Sequence, residues 1–111
     1  MHTVIETEEF VRRAKKLGLS EQEIDLIKLV VANNPSAGNV VQGTGGARKV
    51  RIPARGRGKS GGYRVITFYT GVDIPVFLLN VYSKGSKGDL TQREKNAFRN
   101  TISTIMRDYG E

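Results

Sequence analysis

Two runs of β-branched and aromatic residues, 63–69 and 75–83, constrain the fold most strongly because only five residues separate them. Each run has the length and composition of a strand, and the segment between them has the length and chemistry of a hairpin loop. A connection this short cannot hold the helical crossover that joins parallel strands. We therefore expect the two runs to be neighbouring antiparallel strands.

A further strand is predicted over residues 47–53, where polar and apolar residues alternate. Successive side chains of a strand point to opposite faces, so Arg48 shares a face with the apolar residues of this strand. Lys49 and Arg51 fall on the other face. Pro53 lacks the backbone N–H that a central ladder needs, so it ends the strand or marks an edge.

Three segments have the apolar periodicity of helices. The first ends at Gly18, and the second and third begin at capping-box patterns that start with Ser20 and Thr91. A short strand at residues 3–7 precedes the first helix. The sequence predicts an α+β fold, namely an antiparallel sheet of about four strands with two N-terminal helices and one C-terminal helix.

The chain has 111 residues, of which 38% are hydrophobic, which suits one modest core. We therefore expect residues 1–111 to form a single domain. There is no cysteine, so no disulfide or thiolate metal site is available. The first residues do not resemble a signal peptide, and no apolar run approaches the roughly 20 residues that cross a bilayer. These features favour a soluble cytoplasmic protein without a membrane partner.

The formal net charge of +7 lies entirely within residues 47–64. This segment contains seven basic residues and no acidic residue, whereas the flanking segments carry eleven of each. A polyanion is the natural partner of such a segment, because each cation that neutralises a phosphate releases condensed counterions. The alternative is a solvated loop that only aids solubility.

The sequence lacks the residues that two kinds of cofactor site require. Gly58, Lys59 and Ser60 match the end of a phosphate-binding loop, but Pro53 stands where that loop needs its first glycine, and a strand follows where a helix is needed. Metal sites need clustered histidines, cysteines or carboxylates, and His2 is the single histidine. We expect the protein to use no metal and no other cofactor.

Four cations on predicted strands remain as candidates for chemistry: Lys49, Arg51, Arg64 and Lys84. Cations alone suit RNA cleavage by the neighbouring 2′-hydroxyl, since guanidinium and ammonium groups can hold the charge that develops on the phosphorane. A lysine can also move the proton. The alternative is that these residues bind phosphate and catalyse nothing, and spacing alone does not decide between the two.

Four blocks of sequence resemble the RelE/HigB toxin superfamily, and in particular its HigB-type branch. They are residues 46–51, 56–66, 77–84 and 89–91, which include the patterns G-K-S-G-G-x-R-V-I and L-L-x-x-Y-x-K. The resemblance runs over nearly the whole chain. It implies a small basic toxin that cleaves messenger RNA in the A site of the 70S ribosome and is neutralised by a cognate antitoxin with a helix-turn-helix DNA-binding domain.

The resemblance also implies residue roles. Lys49 and Arg51 match basic positions for proton transfer and phosphate contact, and Arg64 matches the family's phosphate-stabilising arginine. Lys84 stands where many relatives have an arginine, so a point charge replaces a bidentate fork. Tyr82 is a further candidate, and Tyr109 belongs to the apolar stripe of the last helix. The expected RNA- and ribosome-binding cations are Arg48, Arg55, Arg57, Lys59 and Lys87.

Two functions therefore stay open from the sequence. One is a ribosome-dependent endoribonuclease that inhibits translation as the toxin of a type II toxin–antitoxin pair. The other is a non-catalytic nucleic-acid-binding module that uses the same basic segment. Apart from Tyr63 the segment holds no aromatic residue, which weakens a base-stacking platform for single strands but leaves backbone binding open.

Overall fold

The structure is a computed structural model that describes residues 2–53, 62–71, 73–86 and 89–109. Within these ranges the chain forms three α-helices, five strands and one short 3-10 helix, as an α+β fold. The elements are β1 (Val4–Glu6), α1 (Glu8–Leu17), α2 (Glu21–Asn33), β2 (Asn39–Val40), β3 (Arg48–Ile52), β4 (Tyr63–Phe68), β5 (Val76–Ser83), the 3-10 helix (Lys84–Ser86) and α3 (Gln92–Tyr109).

The start of α2, the start of α3 and the end of α1 lie at the capping residues that the sequence predicts. The Ser20 hydroxyl accepts a hydrogen bond from the Glu23 N–H, and the Glu23 carboxylate accepts one from the Ser20 N–H, so α2 starts at a complete capping box. Thr91 and Glu94 make the same reciprocal pair before α3. Helix α1 ends at Gly18, whose φ of 73° is left-handed and suits glycine.

The strands form one sheet in the order β1-β5-β4-β3-β2. The predicted hairpin is confirmed, because β4 and β5 are antiparallel neighbours, and β3 pairs antiparallel with β4. Two features differ from the expected antiparallel sheet of about four strands. The sheet has five strands in the described residues, and β1 pairs with β5 in parallel, so the sheet is mixed.

The differences have local causes. Strand β1 has three residues and β2 has two, so neither carries enough pattern to show its partner or direction. The connection from β1 begins with α1 and α2, and this long excursion lets β1 align parallel with β5 at the sheet edge. Gly38 lets the backbone before β2 approach β3, because a Cβ there would lie 2.3 Å from the Lys49 carbonyl oxygen.

One face of the sheet is covered by α1 and α2, and we call it the α1/α2 face. Its core combines helix residues with side chains from the central strands, all of them at most 5% exposed. Its largest contributors are Phe10, Ile27, Val31, Val50, Ile52, Val65, Leu78 and Val81. This apolar layer is the larger part of what holds the two N-terminal helices against the sheet.

The opposite face, the α3 face, is covered by the C-terminal helix over only part of its length. Its buried side chains are Ala47, Ile66, Phe68, Phe77, Leu79, Tyr82, Leu90, Phe98, Ile102 and Ile105. Tyr109 packs edge-on against Phe77 but is 46% exposed, so it lies at the margin of this core and not inside it. No helix in the described ranges is both long enough and apolar enough to span a bilayer.

Candidate functional site

Two rows of side chains cross the α3 face of the sheet, from the cations of β3 and β4 to the buried side chains of β5. In the outer row Arg51 of β3 pairs with Arg64 of β4, which pairs with Tyr82 of β5. In the next row Lys49 pairs with Ile66, which pairs with Asn80. Residues in direct register have Cβ atoms about 4.5–5.5 Å apart, so each row is a set of close neighbours.

The Arg51–Arg64 pair places two guanidinium groups directly opposite each other. Like charges in this arrangement destabilise a sheet. Arg51 is exposed and Arg64 is half-buried, and no carboxylate of the described residues forms an ion pair with either one. The pair therefore costs stability in the free protein and would gain from an anion bound between the two arginines.

Two lysines extend this cationic surface. Lys49 is half-buried in the second row and, like Arg51, lies on the face that the alternation predicts. Lys84 is exposed at the start of the 3-10 helix, and its backbone N–H donates to the Gly62 carbonyl at 3.2 Å. We refer to Lys49, Arg51, Arg64 and Lys84 together as the cationic surface.

Tyr82 lies below the cationic surface. The residue is 2% exposed, and its hydroxyl oxygen is inaccessible to solvent. Burial raises the pKa of Tyr82; Arg64 opposes that rise, whereas the carboxylates of Glu94 and Asp89 add to it. The phenol is thus neutral beside Arg64 at physiological pH.

Arg48 lies apart from this surface. It occupies the α1/α2 face beside Val50, and its guanidinium donates to the carbonyl oxygens of Ser36 and Gly38, both at 3.1 Å. These bonds tie the irregular segment before β2 to the sheet. The structure therefore gives Arg48 a structural contact, and its expected role in binding RNA stays a prediction.

Four of the expected binding residues cannot be located relative to this surface. Arg55, Arg57, Lys59 and Lys87 lie outside the described residues. Among the described residues, no three of His, Cys, Asp or Glu are grouped so that they could hold a metal ion. The metal-free mechanism itself stays a prediction.

Two cations of α3 were missed by reasoning from the sequence. Arg99 donates to the Gly43 carbonyl at 2.7 Å, and Lys95 lies against Gly43, so α3 contacts the loop that leads into β3. Their i, i+4 spacing on the polar side of α3 was visible in the sequence. The contact of these two residues with the loop at Gly43 was not visible in the sequence.

A comparison with known protein families shows which family the chain belongs to. A family model described as the RelE toxin of the RelE / RelB toxin–antitoxin system matches residues 2–109. The match spans every element described above. The chain belongs to the RelE toxin family. This RelE chain is the toxin component of a toxin–antitoxin system, and its family implies a cognate antitoxin as partner.

The expected RelE/HigB resemblance is thus confirmed at the level of the RelE family. Assignment of this RelE toxin to the HigB-type branch stays a prediction. The residue roles are not tested by the match either.

Proposed function

We propose that this RelE toxin is a ribosome-dependent endoribonuclease that cleaves messenger RNA and thereby inhibits translation. One observation carries the proposal: Arg51 and Arg64 stand directly opposite each other on the exposed end of the sheet, with no acid of the described residues paired to them. A phosphodiester would relieve the repulsion and receive two guanidinium groups at once. Membership of the RelE family supports the choice of RNA as the anion.

The proposed bond changes involve the RNA and the cationic surface. The 2′-hydroxyl of one nucleotide attacks the adjacent phosphorus, and the bond from phosphorus to the 5′-oxygen of the next nucleotide breaks. The 2′-hydroxyl gives up a proton and the leaving 5′-oxygen takes one up. The products are a 2′,3′-cyclic phosphate and a fragment with a 5′-hydroxyl.

Each cation has a role that its chemistry suits. Arg64, which lies between Arg51 and Tyr82, stabilises the charge that develops on the phosphorane. Arg51 holds the phosphate from the neighbouring strand. Lys49 moves a proton, because a guanidinium keeps its proton throughout the accessible pH range and an ammonium does not.

Two residues support this set. Lys84 at the exposed margin attracts the RNA backbone as a point charge. Tyr82 is a positioning residue, since its buried hydroxyl cannot touch RNA and its ring fixes the floor beneath Arg64. We propose no metal or other cofactor in the reaction, and a chain with one histidine and no cysteine is poor in the ligands that transition metals prefer.

The setting of the reaction rests on family resemblance. We propose that the substrate is messenger RNA in the A site of the 70S ribosome. We further propose that the antitoxin carries a helix-turn-helix DNA-binding domain and that the chain belongs to the HigB-type branch. The G-K-S-G-G-x-R-V-I and L-L-x-x-Y-x-K patterns support the last point.

Induced expression tests the proposal directly. Expression without the antitoxin should arrest bacterial growth, and mapping of transcript ends should reveal new cuts within translated reading frames. Normal growth, with the soluble protein confirmed by blot, would refute the toxin activity. Growth arrest without new transcript ends would instead favour the non-catalytic nucleic-acid-binding module.

A further inference from the structure

A cavity of about 300 Å³ opens beside the cationic surface, between α1, β5 and α3. Its apolar wall includes Leu79 and Phe98, and its polar wall includes Arg13, Asn80 and Glu94. None of these polar residues has a role in the cleavage chemistry proposed above. The cavity is of the size that small planar ligands occupy.

A β-bulge creates the cavity floor. Ile66 pairs with Asn80 but Thr67 pairs with Leu78, so Leu79 is an extra residue in β5. As a result Leu79 and Asn80, which are consecutive in sequence, both line the same cavity. Bulges are frequent beside active sites, where they redirect a side chain.

The orientation of the Asn80 amide is fixed. The Asn80 side chain is 5% exposed, and its Oδ1 accepts a hydrogen bond of 2.7 Å from the Val81 N–H. A backbone donor requires the oxygen, so the NH₂ group occupies the other position. Among the described residues this NH₂ group donates to no acceptor, so it is available to donate a hydrogen bond to a ligand.

Arg13 and Glu94 also belong to the polar wall, together with Thr7, Glu9 and Thr101. The Arg13 guanidinium has no hydrogen bond or ion pair with any described residue. The Glu94 carboxylate is held in place because it accepts from the Thr91 N–H at 2.8 Å. The cavity therefore offers two nitrogen donors, the fixed Glu94 carboxylate, a second carboxylate at Glu9 that pairs with Arg12, and an apolar wall.

This combination selects the chemistry of the occupant. A bare phosphate is disfavoured because Glu94 would repel it, and an aliphatic ligand would leave the polar groups unpaired. A nucleobase has apolar faces and an edge with both donors and acceptors. Guanine matches best, since O6 and N7 accept from arginine or amide donors, and its N1–H and N2–H₂ groups can donate to a carboxylate.

The position of the cavity favours RNA over a protein partner. Asn80 is the diagonal cross-strand neighbour of Arg64, and such neighbours lie about 7–8 Å apart. Glu94 also acts electrostatically on Tyr82, the direct partner of Arg64. We propose that this cavity binds a guanine base of the cleaved RNA next to the scissile phosphate, so that Asn80, Arg13 and Glu94 set base preference. This inference rests on the proposed RNA cleavage.

Asn80→Asp is the sharpest variant, because it keeps the oxygen that binds the Val81 N–H and replaces only the NH₂ donor. Asn96→Asp is its matched control, since it makes the same charge change at an exposed site whose amide pairs with Gln92 and with no other described residue. We expect wild-type cuts to be enriched in guanine at one flanking position. Asn80→Asp should weaken that preference roughly tenfold, and Asn96→Asp should leave it unchanged.

Arg13→Gln provides a second variant at the cavity rim, should Asn80→Asp fail to fold. It too should weaken the guanine preference of the cuts that remain. Cuts without guanine enrichment in the wild type, or an unchanged preference in both variants, would overturn the proposal. So would a loss of antitoxin affinity with the guanine preference intact, because the cavity would then receive a side chain of the antitoxin.

Nucleotide binding separates this proposal from the proposed function. The four nucleoside 3′-monophosphates can be titrated into the isotope-labelled protein while the NMR signals of the Asn80 NH₂ group are followed. Guanosine 3′-monophosphate should shift them most, and equal shifts from all four or none would overturn the proposal. Selective binding by a protein that cuts no RNA would refute the endoribonuclease and leave the guanine cavity standing.

Discussion

Arg48 and Arg51 lie three residues apart on the same strand, yet they face two different environments. On the α1/α2 face the Arg48 guanidinium is satisfied by two backbone carbonyls, and the surrounding side chains form a closed apolar core. On the α3 face Arg51 meets a second arginine in direct register. The comparison shows that Arg48 is tied to the backbone on one face, whereas on the other face two like charges stand in direct register with no acid of the described residues paired to them.

The same contrast appears along the α3 face itself. In the core with α3 the sheet presents the buried Phe68 and Phe77, and four residues before Phe68 on the same strand it presents the half-buried Arg64. Strand alternation fixes which face each side chain occupies, and the extent of α3 decides which part of that face stays open. The cationic surface is thus rigidly attached to the core that supports it.

Truncation of the α1/α2 core should have the largest effect on stability. Phe10 is fully buried between α1 and the sheet, so Phe10→Ala should lower the free energy of unfolding by about 3–5 kcal/mol. Urea unfolding measures this. Cleavage per folded molecule should not change. If Phe10→Ala kept its stability but lost cleavage, the assignment of stability to the α1/α2 face and of cleavage to the α3 face would be wrong.

Removal of Arg64 should have the largest effect on cleavage. Arg64→Ala should slow cleavage roughly 10²- to 10³-fold, as loss of a single preorganised donor does elsewhere. Arg93→Ala is the matched control, since it removes the same charge from an exposed position at the start of α3. Single-turnover rates on programmed ribosomes measure both variants.

The two variants must keep the thermal stability of the wild type for the comparison to hold. Equal losses of rate in Arg64→Ala and Arg93→Ala would mean that only overall charge matters. In that case the cationic surface would bind RNA without catalysing its cleavage.

Arg48→Ala should affect stability and not cleavage. It removes two charge-assisted hydrogen bonds to the Ser36 and Gly38 carbonyls, which predicts a loss of about 1–3 kcal/mol in the free energy of unfolding. Thermal unfolding gives the loss. If stability stays constant and the salt dependence of RNA binding becomes shallower, Arg48 acts in RNA binding, as the sequence first indicated.

The smallest expected effect has the opposite sign. Arg51→Thr removes the like charge opposite Arg64 and introduces a good strand former, so it should raise the free energy of unfolding by about 0.2–1 kcal/mol. The gain should shrink as salt rises. RNA affinity should fall at the same time, with a salt slope smaller by about one phosphate contact. If Arg51→Thr lowered the free energy of unfolding, the two arginines would not repel each other in the wild type.

Features encoded in short stretches of sequence were predicted correctly. The hairpin of β4 and β5, the capping boxes at Ser20 and Thr91 and the division of Arg48 from Lys49 and Arg51 follow from spacing alone. Each depends on residues within a few positions of one another. Periodicity and capping chemistry are therefore sufficient to specify them.

Features that join distant segments were not predicted. The parallel pairing of β1 with β5, the bond from Arg99 to the Gly43 carbonyl and the bulge at Leu79 all depend on partners that no local pattern identifies. The cavity beside Asn80 combines α1, β5 and α3, which are far apart in the chain. Only the packed fold brings those side chains together.

The chemical ends of the RNA fragments test the central claim most directly. If the cationic surface drives attack by the 2′-hydroxyl, fragments from programmed ribosomes should carry a 2′,3′-cyclic phosphate at one end and a 5′-hydroxyl at the other. Arg64→Ala should reduce both ends together. Fragments with a 5′-phosphate, made at the wild-type rate by Arg64→Ala, would contradict the account, because water and not the 2′-hydroxyl would then be the nucleophile.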